Sequence, residues 1–244
     1  MSGRSLIDLD PHNARQKAYF ERSDKPRMVP VDTPYLRRHV DETMRFAGVG
    51  PGARVLDVGC GMGRYTLILA ARGFRVEGLD ISQVLLDRLR DYAAGRFDIP
   101  LHCADMRHPP EELKGAFDAV AGFFVLHHLA TLDGSLMALT PLLKPGGRMV
   151  FLEPNPFNPM YHIQIMITPG MSRQGEYSLN RMRRGPIFAA MREAGLVQPA
   201  MDRFGFLPPF VTNRPWGAKV ERILEAVPLW EGLRPFQLFR GVRP

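Results

Sequence analysis

The chain has 244 residues, 45% of them hydrophobic, and a formal net charge of +7. That suits one globular domain with a substantial core. No apolar run reaches the length that spans a bilayer, the polar start lacks the apolar core of a signal peptide, and Cys60 and Cys103 have no companions for a metal site. Two reduced thiols in a cytoplasmic protein are the expectation. The basic excess is uneven. Residues 51–150 balance at 11 Lys and Arg against 11 Asp and Glu, whereas residues 181–244 carry 11 against 5. Such a face suits an anionic substrate, an anionic membrane surface or nucleic acid, or it is an ordinary arginine-rich surface.

In chain order, residues 10–47 predict two helices divided near Pro26, Pro30 and Pro34. A strand follows at "RVLDV" (54–58), then a helix over 63–73 stopped by Gly73, and a second strand at 74–80. Ser82 caps a helix carrying Val84, Leu85, Leu89 and Tyr92 at helical spacing. Strands are predicted at 99–105 and 117–126. A helix with Leu132, Leu136 and Leu139 comes next, then the turn "KPGG" (144–147) and a fifth strand at 148–153. Residues 186–195 form a helix with Pro186 in its first turn and Gly195 past its end. Two further strands at 201–207 and 235–242 enclose an inserted helix at 215–227, whose Val220, Ile223, Leu224 and Val227 are expected in the core. Strands alternating with helices imply right-handed βαβ units and an open parallel sheet covered on both faces.

The strongest local signal is "VLDVGCGMG", with Asp57, Gly59, Gly61 and Gly63 on a strand-to-helix turn. Glycine there permits positive φ and close approach of a ligand to the backbone. Asp80 ends the next strand, where a carboxylate suits both hydroxyls of a ribose. A dinucleotide fingerprint requires G-x-G-x-x-G. Counted from Gly59 or Gly61, its last position falls on Arg64 or Thr66. Asp57 would also bring negative charge close to a pyrophosphate, whereas a carboxylate is welcome near the ammonium or sulfonium of S-adenosylmethionine.

With "GLDIS", "CADM", "FDAVAGFFVLHHL" and "LKPGGRMVFLEPN" following in order over about residues 53–155, the chain resembles the class I S-adenosylmethionine-dependent methyltransferases. The resemblance implies a Rossmann-like, doubly wound α/β fold: seven strands, mostly parallel with an antiparallel last strand, and helices on both faces. It implies S-adenosylmethionine as cofactor. Gly59, Gly61 and Gly63, with Cys60 between them and Asp57 close by, would line its methionine half. Asp80, followed by Ile81, would hold the ribose. Asp105 would face the adenine amine and Met106 its ring. Phe123 would lie beneath the sulfonium.

Ligands bind at the carboxyl ends of the strands in open α/β sheets, so the ends of the fourth and fifth strands should face the acceptor. His127, His128 and Glu153 are the candidate proton acceptors there. Phe124, Asn155 and Tyr161 are candidate acceptor contacts. The Pro–Asn alternation of "EPNPFNP" is a stiff exit from the fifth strand, and residues 154–182, rich in methionine, form the expected lid. One domain spans 1–244: a helical cap over 1–50, a cofactor core over 51–153, the lid over 154–182, and a C-terminal part over 183–244. The expected activity is in-line methyl transfer to oxygen or nitrogen, less readily carbon, of a small, largely apolar acceptor, with an anionic group on it left open, by a monomer or homodimer, with peripheral membrane contact open. A nucleic-acid methyltransferase lacks support from any "NPPY" or "DPPY" motif. A non-catalytic S-adenosylmethionine-binding scaffold is the third reading.

Overall fold

Side-chain alternation along the strands builds a sheet with two apolar faces. The computed structural model describes residues 11–22, 28–129, 131–159 and 181–244. Strands β1 (Arg54–Val58), β2 (Arg75–Asp80), β3 (Leu101–Cys103), β4 (Phe117–Phe123), β5 (Leu143–Pro154), β6 (Val197–Phe204) and β7 (Phe236–Val242) form one sheet in the order β3-β2-β1-β4-β5-β7-β6. The first five pair in parallel, and β7 runs antiparallel between β5 and β6. This is the Rossmann-like, doubly wound arrangement expected from the sequence.

In β5, Met149 and Phe151 enter the core under α5 (Asp133–Leu139) and α6 (Arg184–Glu193). Val150 and Leu152 enter the opposite core, under α2 (Pro34–Ala47) and α3 (Thr66–Ala71). Helix α2 shows why its sequence folds locally. The Thr33 side chain accepts the Leu36 N–H, Pro34 occupies the first turn, and Gly48 closes the end at φ +68°. Its Leu36, Val40, Met44 and Ala47 recur at helical spacing and are all buried. Each of the larger ones contributes about 2 kcal/mol by leaving water. The chain passes to opposite sides of the sheet between β1 and β4, which opens a crevice at their carboxyl ends.

Several expectations are corrected. The helix predicted from residue 63 starts at Thr66, because Gly61 and Gly63 hold the turn open at φ +52° and +90°. β4 ends at Phe123 rather than residue 126, because Phe124 turns to φ +56° and a 3-10 turn (Leu126–His128) follows. The "KPGG" turn lies inside β5. The register passes from Phe117 opposite Leu143 to Ala119 opposite Arg148, so the extra residues loop out between two paired stretches. The inserted helix, α8 (Gly217–Glu225), is turned the other way. Ile223 is 68% exposed and Val220 38%, Leu224 and Val227 are half-buried, and Gly217 and Glu221 are its buried residues. Arg38 of α2 draws the carboxylates of Glu221 and Glu225 inward, and this ion pairing fixes the rotation of the helix. Most of the expected lid, including Tyr161, lies outside the described residues. Among the described residues no helix is long and apolar enough to cross a membrane.

Candidate active site at the carboxyl edge

The glycine turn is bound to β2. The N–H groups of Gly59 and Cys60 both donate to the Leu79 carbonyl, at 2.7 and 3.3 Å. That of Gly61 donates to Asp80 Oδ2 at 2.9 Å, and that of Gly63 to the Cys60 carbonyl at 2.9 Å. A Cβ at Gly59, where φ is +70°, would stand 2.4 Å from Val125 Cγ2. The glycines therefore let the turn pack tightly on the core, Gly59 against Val125 and Gly63 against Leu89, with these four N–H groups already used. A turn whose N–H groups are spent in this way does not suit the solvation of a pyrophosphate. Cys60 is buried among Leu86 and Leu89, with its Sγ against Gly78 of β2, so its side chain fills space beneath the turn. Burial pushes its thiol well up, and it is no nucleophile.

Three carboxylates stand in a row along this edge. Asp57 is buried, and its Oδ2 accepts the Thr66 hydroxyl at 2.6 Å. Burial pushes its pKa up to about 7, against the Thr66 hydrogen bond and helped by the nearby Asp80. Asp80 is also raised by burial, although the Ser82, Gly61 and Ile81 N–H groups oppose the shift. Ile81 follows it at the strand end, half-buried. Asp105 is buried too. Burial alone would raise it, but Arg107 and Asn13 outweigh that and hold the carboxyl below its usual range. Met106 packs partly buried against the core under α5. Helix α1 (Pro11–Glu21) crosses above this row. Asn13 Nδ2 donates to Asp105 Oδ2 at 2.8 Å, Ser82 Oγ donates to Glu21 Oε1 at 2.6 Å, and His12 Nε2 lies 2.8 Å from the His128 carbonyl.

Next to the turn, on the face covered by α2, lies a cluster of rings. Tyr65 stacks on Phe123 with centroids 4.5 Å apart and planes at 12°. His39 of α2 is ringed by Tyr35, Phe124, Phe204 and Phe236 at centroid distances of 4.5 to 5.8 Å. Its Nδ1 pairs with the Tyr65 hydroxyl at 3.1 Å, and its Nε2 is buried with no hydrogen-bond partner among the described residues. Burial, reinforced by Arg64 and Arg38, pushes His39 down to about 3, so the imidazole is neutral. Phe204 ends β6, and Phe236 opposes Pro154 at the end of β5, so these rings share the carboxyl edge with Phe124. Sequence reasoning missed His39, Tyr65, Phe204 and Phe236. Only Tyr65 had a local signal, its place just after the glycine turn.

Glu153 is fully buried. Its Oε1 accepts the N–H groups of Val125 and Leu126 at 2.9 and 2.7 Å, and its Oε2 faces His127 Nδ1 at 2.7 Å. The expectation that Glu153 itself receives a proton from an acceptor is corrected: both oxygens are engaged by N–H donors. The arrangement fixes the turn after β4 and, with Oε2 as acceptor, holds a proton on His127 Nδ1. The His128 ring lies tilted against that of His127, with centroids 4.0 Å apart, and meets the edge of Phe20. Asn155 is likewise corrected as an acceptor contact. It is fully buried, its amide donates to the Gly232 and Arg234 carbonyls at 2.9 and 2.7 Å, and its Oδ1 accepts the Phe157 N–H. It clasps the end of β5 to the entry of β7.

Comparison with known proteins agrees with this geometry. Residues 55–147 match a family model described as a methyltransferase domain. The chain is 32% identical over 187 residues to the ubiquinone biosynthesis O-methyltransferase of Chromobacterium violaceum, covering 76% of this chain and 75% of that one. It is 35% identical over 111 residues to the demethylmenaquinone methyltransferase of Tropheryma whipplei, with 45% of each chain covered. In fold it is similar to the geranyl diphosphate C-methyltransferase of Streptomyces coelicolor, with a TM-score of 0.65, 21% identity, and 96% and 99% of the two chains covered. That structure contains S-adenosyl-L-homocysteine, Mg2+ and geranyl diphosphate. A glycine turn between two strand-end carboxylates, Asp57 and Asp80, and kinship over three quarters of a curated enzyme converge on one conclusion: the chain belongs to the class I S-adenosylmethionine-dependent methyltransferases.

Proposed function

We propose that this enzyme methylates an oxygen on a small, ring-bearing and largely apolar acceptor. The observation that carries this reading is the ring cluster around His39, which places one unpartnered buried nitrogen among apolar faces at the carboxyl edge. An acceptor ring seated against this cluster stacks on its faces and offers a single oxygen to the His39 nitrogen. The names of the relatives from Chromobacterium and Tropheryma, which are enzymes of quinone methylation, support the same class of acceptor. We place the enzyme in the cytoplasm, where Cys60 and Cys103 remain free thiols.

The residues present fit S-adenosylmethionine. Gly59, Cys60, Gly61 and Gly63 take the methionine end, and Asp57 supplies negative charge beside it. Asp80 and Ile81 take the ribose, Asp105 and Met106 the adenine, and Phe123 the floor under the reacting centre. The cofactor supplies a methyl already activated on a sulfonium. The protein aligns the acceptor, excludes water and receives a proton. His127 is the group we assign to the proton, with Glu153 holding its ring and tautomer. His128 lies behind Phe20 and completes the wall.

Asp57 gives a signed pH dependence. Its folded value of about 7 lies above the ordinary 3.8, so the ligand-free protein holds a proton that the unfolded chain releases between them. This contribution to stability is lost as pH rises through that window. A cationic ligand requires the ionised form and expels the proton. Titration calorimetry is expected to show S-adenosylmethionine binding roughly 10-fold weaker at about pH 6 than at about pH 8, with the difference absent in Asp57→Asn.

The acceptor assignment is tested with an alkylated catechol, an alkylated naphthoquinol, geranyl diphosphate and RNA offered in turn with labelled cofactor. Oxygen methylation of the catechol supports the reading. Labelled RNA, or carbon methylation alone, overturns it. His39→Phe fills the same space without the unpartnered nitrogen. It also takes Nδ1 away from the Tyr65 hydroxyl, so a modest drop in melting temperature is expected, with cofactor affinity kept and the acceptor KM raised roughly 10-fold through loss of one hydrogen bond to the acceptor.

A further inference from the structure

Helix α8 is amphipathic and faces the wrong way for a core helix. Trp216, at its N-cap, and Val220 and Ile223 lie on one stripe and are 58%, 38% and 68% exposed. The stripe that faces the protein carries Gly217, Glu221 and Glu225. Glu221 accepts the N–H groups of Phe206 and Leu207, Glu225 accepts that of Gly205, and both carboxylates pair with Arg38. These bonds hold the helix in its rotation, so the apolar stripe cannot turn inward without breaking them.

The exposure continues on both sides of the helix. Phe210 of α7 (Pro209–Thr212) is 76% exposed, Trp230 42% and Leu233 48%. Six of the thirteen large apolar side chains exposed among the described residues fall in this one connection between β6 and β7. Its cations lie beside the stripe: Lys219 and Arg222 are exposed on α8, and Arg214 precedes it. Since Glu221 and Glu225 are spent inward, Glu231 is the one carboxylate left facing out here.

We propose that this connection is a docking surface for an anionic lipid bilayer, with α8 lying in the interface plane. Charge complementarity selects this occupant. An apolar stripe flanked by lysine and arginine sinks into the acyl boundary while its cations remain among the phosphates. A second protein copy would have to bury those cations without carboxylates to meet them. The surface rests on its own geometry and is independent of the acceptor.

The test uses the full chain and vesicles of phosphatidylcholine with and without phosphatidylglycerol. Both tryptophans of the sequence, Trp216 and Trp230, lie in the patch, so their emission reports contact directly. A blue shift and co-sedimentation with the anionic vesicles only, weakened by salt, are expected. Phe210→Glu with Ile223→Glu should lower vesicle affinity at least ~10-fold. Lys219→Glu with Arg222→Glu should lower it roughly 10-fold for anionic vesicles. Met137→Glu, an equally exposed apolar site on α5, should leave it unchanged. Thermal melting checks that each variant is folded. Failure of the parent to bind anionic vesicles overturns the proposal, as does undiminished binding by the Phe210 and Ile223 variant. A parent that ignores vesicles but sediments as a dimer, and becomes monomeric in that variant, assigns the patch to a second copy instead.

Discussion

Asp80→Ala is expected to weaken S-adenosylmethionine binding at least ~100-fold in titration calorimetry, and to reduce turnover at subsaturating cofactor in step. Two losses combine. The ribose hydroxyls lose a charged partner, at about 1.5–3 kcal/mol per hydrogen bond. The glycine turn also loses its anchor, because Asp80 receives the N–H groups of Gly61 and Ser82, each at 2.9 Å. An unsatisfied buried N–H costs about 1–3 kcal/mol, so the turn should loosen as well. Asp80→Asn separates the contributions. It keeps one carbonyl oxygen for one N–H and loses the charge, so intermediate affinity with near-parental melting is expected. If Asp80→Ala bound the cofactor as the parent does, the placement of the ribose at β2 would be wrong.

Glu153→Gln should leave cofactor affinity and folding close to those of the parent while turnover falls roughly 100-fold, the scale of a positioned proton acceptor. The carboxamide oxygen can still accept from Val125 and Leu126. Its amino group, however, now faces His127 Nδ1, which sits 2.7 Å from the present carboxylate. Two N–H donors cannot face each other, so His127 must shift its proton to Nε2 and lose the lone pair there. A pH–rate profile should lose its lower limb in this variant. Glu153→Ala is a different experiment: three buried donors are left unmatched, and gross destabilisation is the expected result. Equal loss of turnover and cofactor affinity in Glu153→Gln would reduce Glu153 to a structural clamp and remove His127 from the chemistry.

The glycine turn and the carboxylates of this edge were legible because they are local. Asp57, the glycines and Asp80 all lie at strand ends, and strand ends are marked by where apolar alternation stops. The Ser82 cap and the two-helix reading of residues 10–47 were legible for the same reason. The ring cluster around His39 was not legible, because it is assembled over distance. His39 comes from α2, Tyr65 from the turn, Phe204 from β6 and Phe236 from β7. No spacing in the chain connects a histidine in an amphipathic helix with phenylalanines some way past position 200. Glu153 and Asn155 were singled out for their place at a strand end, which was right. Their partners, the Val125 and Leu126 amides and the Gly232 and Arg234 carbonyls, decide what they do. Helix α8 misled through its period: apolar spacing identifies a stripe, but the direction it faces was set by Arg38 on another helix.

The strand order also governs how the enzyme is made. β7 is translated after the other six strands but sits inside the sheet, between β5 and β6. Until it leaves the ribosome, the nascent chain presents the unpaired edge of β5, with Val150, Phe151 and Leu152, to whatever else is sticky in the cell. Asn155 waits for Gly232, 77 positions downstream, and at about 5–20 residues per second that is a delay of roughly 4–15 s. The seam between β5 and β7 is thus also the step at which synthesis is exposed to misassembly, and chaperone dependence should concentrate there.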